Sequence, residues 1–124
     1  GLAFSPDDKW LYVADMSIID FPTQGRREIR AYRLDGDSAV FSHVVTQVAP
    51  GIPDGFCVDP AGNIFCSCET GVLIFSPQGT LLETIPVPER VSNCTFGGPD
   101  GNTLFITATT SLYRVTIAPS RIQG

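Results

Sequence analysis

Residues 50–69, PGIPDGFCVDPAGNIFCSCE, contain the pattern that decides the fold. Asp54 and Gly55 stand where a short apolar run begins, and a turn around Pro60 separates that run from a second one over 64–68. Apolar runs joined by a turn containing Pro and Gly are typical of antiparallel strands. The stretch therefore predicts a strand, a turn and a returning strand.

Asp54 has two interpretations. A carboxylate at the mouth of a buried strand must be paired, hydrogen-bonded or bound to a cation, because burying an unpaired charge is costly. This makes Asp54 the best candidate for a catalytic residue. Alternatively, Asp54 caps a turn, as aspartate commonly does. The local sequence leaves both interpretations open.

The composition limits the class of protein. The chain has 124 residues, of which 43% are hydrophobic and 17% charged, so disorder is excluded and one domain with its own core is possible. No apolar run approaches the roughly 20 residues that span a bilayer, and we expect no membrane span. A net charge of −5 argues against nucleic acid as a partner.

The first residues of the chain do not have the pattern of a natural N-terminus. It opens inside a strand-like run, and its single methionine is Met16. We therefore interpret the sequence as a fragment of a longer protein, with no targeting segment that can be read.

Four cysteines, Cys57, Cys66, Cys68 and Cys94, lack the spacing of a zinc site, and the single histidine, His43, lies far from them in the sequence. Cys66 and Cys68 are two apart on a predicted strand, so they point the same way and would bridge only with strain. We expect all four to be reduced and to act as small buried hydrophobic residues. Unpaired cysteines slightly favour a cytoplasmic location.

The chain repeats one pattern three times, starting near residues 1, 55 and 93. Each copy is a strand, a Pro-centred turn and a second strand. The predicted second strands cover 10–14, 64–68 and 104–107. They are apolar on both faces, so sheets must cover them on both sides.

More polar strands follow each repeat. They are predicted over 28–34 and 39–48, over 72–75 and 81–85, and over 111–117. Four antiparallel strands with apolar inner members are the pattern of a β-propeller blade. The sequence thus predicts an all-β propeller fragment without helices, with blades at about 1–49, 54–86 and 92–118, the last incomplete.

The antiparallel order of the strands also predicts at which end of the blades each loop lies. The Pro-centred turns lie at the end of the blades opposite Asp54, whereas the links between second and third strands return to the side of Asp54. One such link, 15–27, is long, and long loops are often functional. Asp15 begins it, and its carboxylate either reaches the central channel or ends the strand.

Four motifs in order resemble the C-terminal half of the gluconolactonase/regucalcin (senescence marker protein) family. They are GLAFSPDDKWLYVAD (1–15), PDGFCVDPAGNIFCSC (53–68), GVLIFSPQGTLLETIPVP (71–88) and NCTFGGPDGNTLFITATTSLYRV (93–115). The resemblance covers nearly the whole chain and implies a six-bladed propeller in the full-length parent.

The resemblance implies a hydrolase that opens small-molecule lactones or related esters with one divalent cation. Ca²⁺ is the first expectation, with Zn²⁺, Mg²⁺ and Mn²⁺ as alternatives. The family's ligands are a Glu, two Asn and the Asp of the PDG motif, which matches Asp54. One Asn would stand immediately before Gly1, and the Glu would lie farther upstream. Asn93 and Gly55 are expected beside the site rather than as ligands.

Two other functions are compatible with the architecture. One is a non-catalytic propeller scaffold for protein interactions, and the other is a propeller similar to strictosidine synthase. Neither needs a carboxylate at the channel mouth, so Asp54 discriminates against both. The sequon at Asn93 begins an inner strand, and we expect no glycan there.

The incomplete ring has consequences for the isolated chain. It leaves a blade face and strand edges uncovered, so we expect self-association. We also expect the isolated chain to be inactive, because the other ligands of the family lie outside it.

Overall fold

The computed structural model describes residues 1–118. They form eleven strands and one short 3-10 turn, Ser17–Ile19. The strands are β1 Leu2–Phe4, β2 Trp10–Asp15, β3 Glu28–Asp35, β4 Ser38–Gln47, β5 Phe56–Val58, β6 Ile64–Ser67, β7 Gly71–Phe75, β8 Leu81–Pro86, β9 Val91–Gly97, β10 Thr103–Ala108 and β11 Leu112–Thr116.

The strands form three antiparallel sheets, each a meander in chain order. The first sheet is β1–β4, the middle sheet is β5–β8, and the third sheet is β9–β11. The all-β class with four-stranded antiparallel sheets is therefore confirmed, and the third sheet has three strands within residues 1–118. The described part of the chain contains no helix with the length and apolar character that crossing a membrane requires.

The side chains of β6 alternate between two cores. Ile64 and Cys66 pack against the first sheet, with Ile29 among their neighbours, whereas Phe65 packs against the third sheet beside Leu104. All five side chains are fully buried. Since successive residues of a strand point to opposite faces, one apolar strand supplies both cores. The middle sheet is thus covered on both faces, as its sequence predicted.

The two flanking sheets differ from the prediction that every second strand is buried on both faces. In β2, Tyr12 is buried against the middle sheet, but Leu11 and Val13 are partly exposed. In β10, Leu104 is buried and Phe105 is partly exposed. Each flanking sheet has one neighbouring sheet within residues 1–118. The prediction is therefore wrong for β2 and β10 in the described chain.

The uncovered faces are apolar. Leu2 and Phe4 are 64% and 54% exposed on the first sheet, and Leu112 is 69% exposed on the third. Exposed apolar side chains of this size, gathered on one face, mark surfaces that another chain or sheet covers.

The Pro-centred turns are held by aspartates. The Asp59 carboxylate is buried and accepts three hydrogen bonds, from the Ala61 N–H at 3.0 Å, the Asn63 N–H at 2.8 Å and the Asn63 side-chain amide at 3.0 Å. In the equivalent turn of the first sheet, Asp7 accepts bonds from the Ser5 hydroxyl at 2.7 Å and the Lys9 N–H at 3.1 Å. These carboxylates satisfy donors that the turn leaves unpaired.

We predict that Asp59→Ala lowers the free energy of unfolding by about 2–3 kcal/mol, because it leaves three partly buried donors without an acceptor. Asp59→Asn keeps one acceptor oxygen and is expected to cost about half as much. Urea unfolding of the protein measures both. The control is Asp100→Ala in an exposed turn, with an expected change below about 0.5 kcal/mol. Equal losses in Asp59→Ala and Asp100→Ala would contradict the prediction.

Candidate functional site

The first strands of the three sheets lie side by side where Asp54 is found. The Gly55 N–H donates to the Ser92 carbonyl at 2.8 Å, which ties the middle sheet to the third. On the other side, a Cβ added to Gly1 would lie 3.0 Å from the Asp54 carbonyl oxygen. Residues from three sheets, tens of positions apart in sequence, therefore meet at this end of the inner strands.

Gly55 and Asn93 are in close contact. A Cβ added to Gly55 would lie 2.1 Å from Asn93 Oδ1 and 2.3 Å from Asn93 Cγ, so no larger residue fits at Gly55 without displacing that side chain. Asn93 is fixed in turn, because its Oδ1 accepts a hydrogen bond from the Cys94 N–H at 2.9 Å. The structure therefore brings three of the sequence-predicted site residues, Asp54, Gly55 and Asn93, to one place.

Asp54 is held through its backbone. Its N–H donates to the Ser67 carbonyl at 3.0 Å, and the residue is partly buried. Within residues 1–118 its carboxylate has no hydrogen-bond or ion-pair partner. Asp7 and Asp59, in contrast, use their carboxylates to bind nearby N–H groups. Asp54 thus differs from the turn-capping aspartates of the same chain.

Asp15, the fourth predicted site residue, interacts with other residues than Asp54, Gly55 and Asn93 do. Its Oδ1 accepts a hydrogen bond from the Ser17 N–H at 3.0 Å. Hydrogen bonding with Ser17 lowers the pKa of Asp15, and the positive charges of Arg26 and Arg30 act in the same direction. The carboxylate therefore begins the long loop and is surrounded by groups of that loop and of β3.

Glu28 on β3 was missed by the sequence reasoning. Its side chain is 5% exposed and pairs with Arg30 at 2.7 Å and with Arg26 at 3.5 Å. The Gln47 amide donates to the other carboxylate oxygen at 2.9 Å. The spacing of Glu28 and Arg30, two apart on a strand, would have predicted a pair on one face. This cluster lies opposite Asp15 in the strand register and fastens β3 to β4 and the long loop.

A second feature that the sequence reasoning missed is a thiol pair. Cys57 Sγ and Cys94 Sγ lie 3.8 Å apart between the middle and third sheets. The hydrogen bond from the Cys57 thiol lowers the pKa of Cys94 because it stabilises a thiolate there. The same contact and burial raise the pKa of Cys57. The available signal was strand alternation, which places both side chains in the core between these two sheets.

The fit of the site to a cation is partial within this chain. Residues 1–118 contain no group of three or more His, Cys, Asp or Glu side chains that could hold a metal ion. At the end of the inner strands they offer the carboxylate of Asp54, with the amide of Asn93 close by. Oxygen donors of this kind suit hard cations such as Ca²⁺. The donor chemistry fits such a cation, but the described residues do not by themselves complete a site for it.

The antiparallel sheets, packed face to face with their first strands side by side, define the chain as part of a β-propeller. The chain belongs to the SMP-30/gluconolactonase/LRE-like family, whose sequence model matches residues 1–110. The resemblance seen in the sequence is thereby confirmed.

Among its relatives, the chain is 35% identical to a gluconolactonase of Zymomonas mobilis, over 93% of the chain and 33% of the relative. It is similar to the structure of a gluconolactonase from Xanthomonas campestris, with a TM-score of 0.82 and 39% identity over 94% of the chain and 36% of that protein. A calcium-binding protein, regucalcin, from Agrobacterium tumefaciens shares the fold, with a TM-score of 0.73 and 22% identity over 90% of the chain and 38% of that protein.

These matches show that residues 1–118 correspond to part of a larger propeller. Its antiparallel sheets match part of the six-bladed propeller of gluconolactonases. The chain spans about a third of the length of the relatives that it matches.

We predict that Gly55→Ala lowers the free energy of unfolding by about 1–3 kcal/mol, because the new methyl group overlaps the Asn93 side chain. In the Asn93→Gly background the obstructing atoms are gone, so the added cost of Gly55→Ala should fall below about 1 kcal/mol. A double-mutant cycle by urea unfolding measures this coupling. Strictly additive costs would show that the two residues do not contact each other.

Proposed function

We propose that this chain forms one wall of the active site of a lactonase that depends on a divalent cation, with Asp54 as a ligand of the cation and as the catalytic base. The observation that carries the proposal is the Asp54 carboxylate. It is partly buried where the inner strands converge, and within residues 1–118 it has no hydrogen-bond or ion-pair partner. Buried charges are generally paired or coordinate a metal, so a partly buried carboxylate without a protein partner is a suitable ligand for a cation.

Ca²⁺ is the cation that we propose first. The side chains near the site offer oxygen donors, and hard cations select carboxylate and amide oxygens. Mg²⁺, Mn²⁺ and Zn²⁺ are the alternatives to be tested. When bound, such a cation polarises a carbonyl group and lowers the pKa of water.

Asp54, Gly55 and Asn93 have different roles in this proposal. Asp54 accepts the proton of the water that attacks the lactone carbonyl, as a general base within hydrogen-bond reach. Gly55 leaves room for Asn93 to pack flat against the backbone. The hydrogen bond from the Cys94 N–H to Asn93 Oδ1 orients this amide, and its NH₂ group can donate to a hydroxyl of the substrate.

The proposed substrates are small-molecule lactones or related esters. Relatives that are 35% and 39% identical to this chain, over about a third of their own length, include gluconolactonases. A sugar lactone carries several hydroxyl groups, which suits a polar site with amide donors. A non-catalytic scaffold or a propeller similar to strictosidine synthase would not require Asp54, and the experiment below tests these alternatives.

In the protein at its full natural length, we predict that Asp54→Ala and Asp54→Asn reduce kcat/KM for lactone hydrolysis more than about 100-fold. Asp54→Ala should also weaken cation binding strongly, because it removes a ligand and a negative charge. Asp54→Asn keeps the shape and one oxygen, so it should retain part of the affinity. A lactone assay and calorimetric titration with each cation measure the two effects.

The matched control is Asp100→Ala, which removes a carboxylate from an exposed turn. Its cation affinity and kcat/KM should equal those of the wild type. Circular dichroism should show that all variants remain folded, since the sheets are held by their packed faces. Unchanged affinity and rate in Asp54→Ala would mean that the carboxylate is not part of the site.

We further predict that residues 1–124 in isolation self-associate and do not hydrolyse lactones. The outer faces of the first and third sheets carry exposed apolar side chains, including Phe4 and Leu112, which a second chain can cover. Sedimentation over a concentration series should show species larger than the 13.3 kDa monomer. A single monomeric species that unfolds cooperatively, or lactone turnover by the isolated chain, would contradict the prediction.

A further inference from the structure

We propose that Cys57 and Cys94 are a redox-sensitive thiol pair that closes to a disulfide between the middle and third sheets. The inference rests on the placement of the four cysteines in the fold. It is independent of the proposed lactonase activity, and its test does not use that activity.

The geometry favours this pair. The Sγ atoms lie 3.8 Å apart, so they must approach by about 1.8 Å to reach the length of a disulfide bond. Side-chain rotation accounts for movements of this size. The backbones of the two strands are already tied close by, where the Gly55 N–H donates to the Ser92 carbonyl at 2.8 Å.

The other two cysteines provide an internal comparison. Cys66 and Cys68 lie in the core between the first and middle sheets, on the opposite face of the middle sheet. The Cys66 thiol contacts the Ser67 carbonyl at 3.6 Å, and the Cys68 thiol contacts the Thr70 hydroxyl at 3.6 Å. Each is fully buried and contacts an oxygen. The Cys94 thiol also contacts an oxygen, that of the Phe65 carbonyl at 3.3 Å, but in addition it faces the sulfur of Cys57. Oxidation should therefore select Cys57 and Cys94.

An oxidant of the disulfide class, such as oxidised glutathione, balances the reaction. Cys57, the less buried member of the pair, passes its proton to the Cys94 thiolate and attacks one glutathione sulfur, which releases one glutathione as a thiolate. The released glutathione takes the proton from Cys94 and leaves as a thiol. The sulfur of Cys94 then attacks the Cys57 sulfur of the mixed disulfide and releases the second glutathione. Two protein thiols are oxidised to one disulfide, and one glutathione disulfide is reduced to two thiols.

The position of the bond gives it a consequence for the fold. Cys57 is three residues from Asp54, and Cys94 is adjacent to Asn93. A disulfide would fix the distance between the inner strands of two sheets next to the contact of Gly55 with Asn93. The non-covalent packing between these sheets would thereby gain a covalent link that a reducing environment removes.

The test treats the native protein, at its full natural length, with oxidised glutathione, then quenches it and alkylates the remaining thiols under denaturing conditions. Mass spectrometry of a non-reduced digest should show the peptide of Cys57 joined to that of Cys94, with the loss of two hydrogens. This link should exceed any other pairing of the four cysteines at least about tenfold, since the native fold holds these two sulfurs together. Cys66 and Cys68 should be recovered alkylated.

Matched variants complete the design. Cys66→Ser should still form the link, whereas Cys57→Ser should leave Cys94 alkylated. Circular dichroism verifies that both are folded, and the wild-type map decides the question even if a variant does not fold. The proposal is overturned if wild-type Cys57 stops at the glutathione adduct while Cys94 is alkylated. It is equally overturned if all four cysteines are alkylated after oxidation, or if the link is no more abundant than in urea.

Discussion

The packing of the middle sheet between two others is the constraint on which the rest of the structure depends. Its second strand is apolar at successive positions, so Ile64 faces one core and Phe65 the other, and both are fully buried. Burial of each such side chain contributes roughly 1.5–3 kcal/mol, and removing one neighbouring sheet loses the contribution of the side chains that face it. The flanking sheets have the same kind of strand but one neighbour each, and their outer faces are correspondingly exposed.

Face-to-face packing also positions the candidate site. Because the first strands of neighbouring sheets lie side by side, residues of three sheets converge around Asp54. The approach is close enough that Gly55 has no room for a side chain beside Asn93. The same approach brings the thiols of Cys57 and Cys94 to 3.8 Å. The site and the thiol pair are thus two results of one packing geometry.

The aspartates of the chain show how the environment assigns different roles to one residue type. Asp59 is buried and fully used as an acceptor in a turn, so its role is structural. Asp15 accepts a hydrogen bond from the Ser17 N–H, and hydrogen bonding with Ser17 together with the charges of Arg26 and Arg30 lowers its pKa. The Asp54 carboxylate has no such partner within residues 1–118. Its place at the convergence of the inner strands is the basis of the role that we propose for it.

The sequence by itself determined the all-β class, the antiparallel order of the strands and the family. Short continuous apolar runs and Pro-centred turns are local signals, and the ordered motifs repeat them across the chain. It also singled out Asp54. Only the tertiary structure decided which cysteines meet, that Glu28 is buried with Arg30, and that Asn93 packs on Gly55. The physical reason is that these contacts depend on how two sheets approach each other, and a period of two fixes the face of a side chain but not its partner.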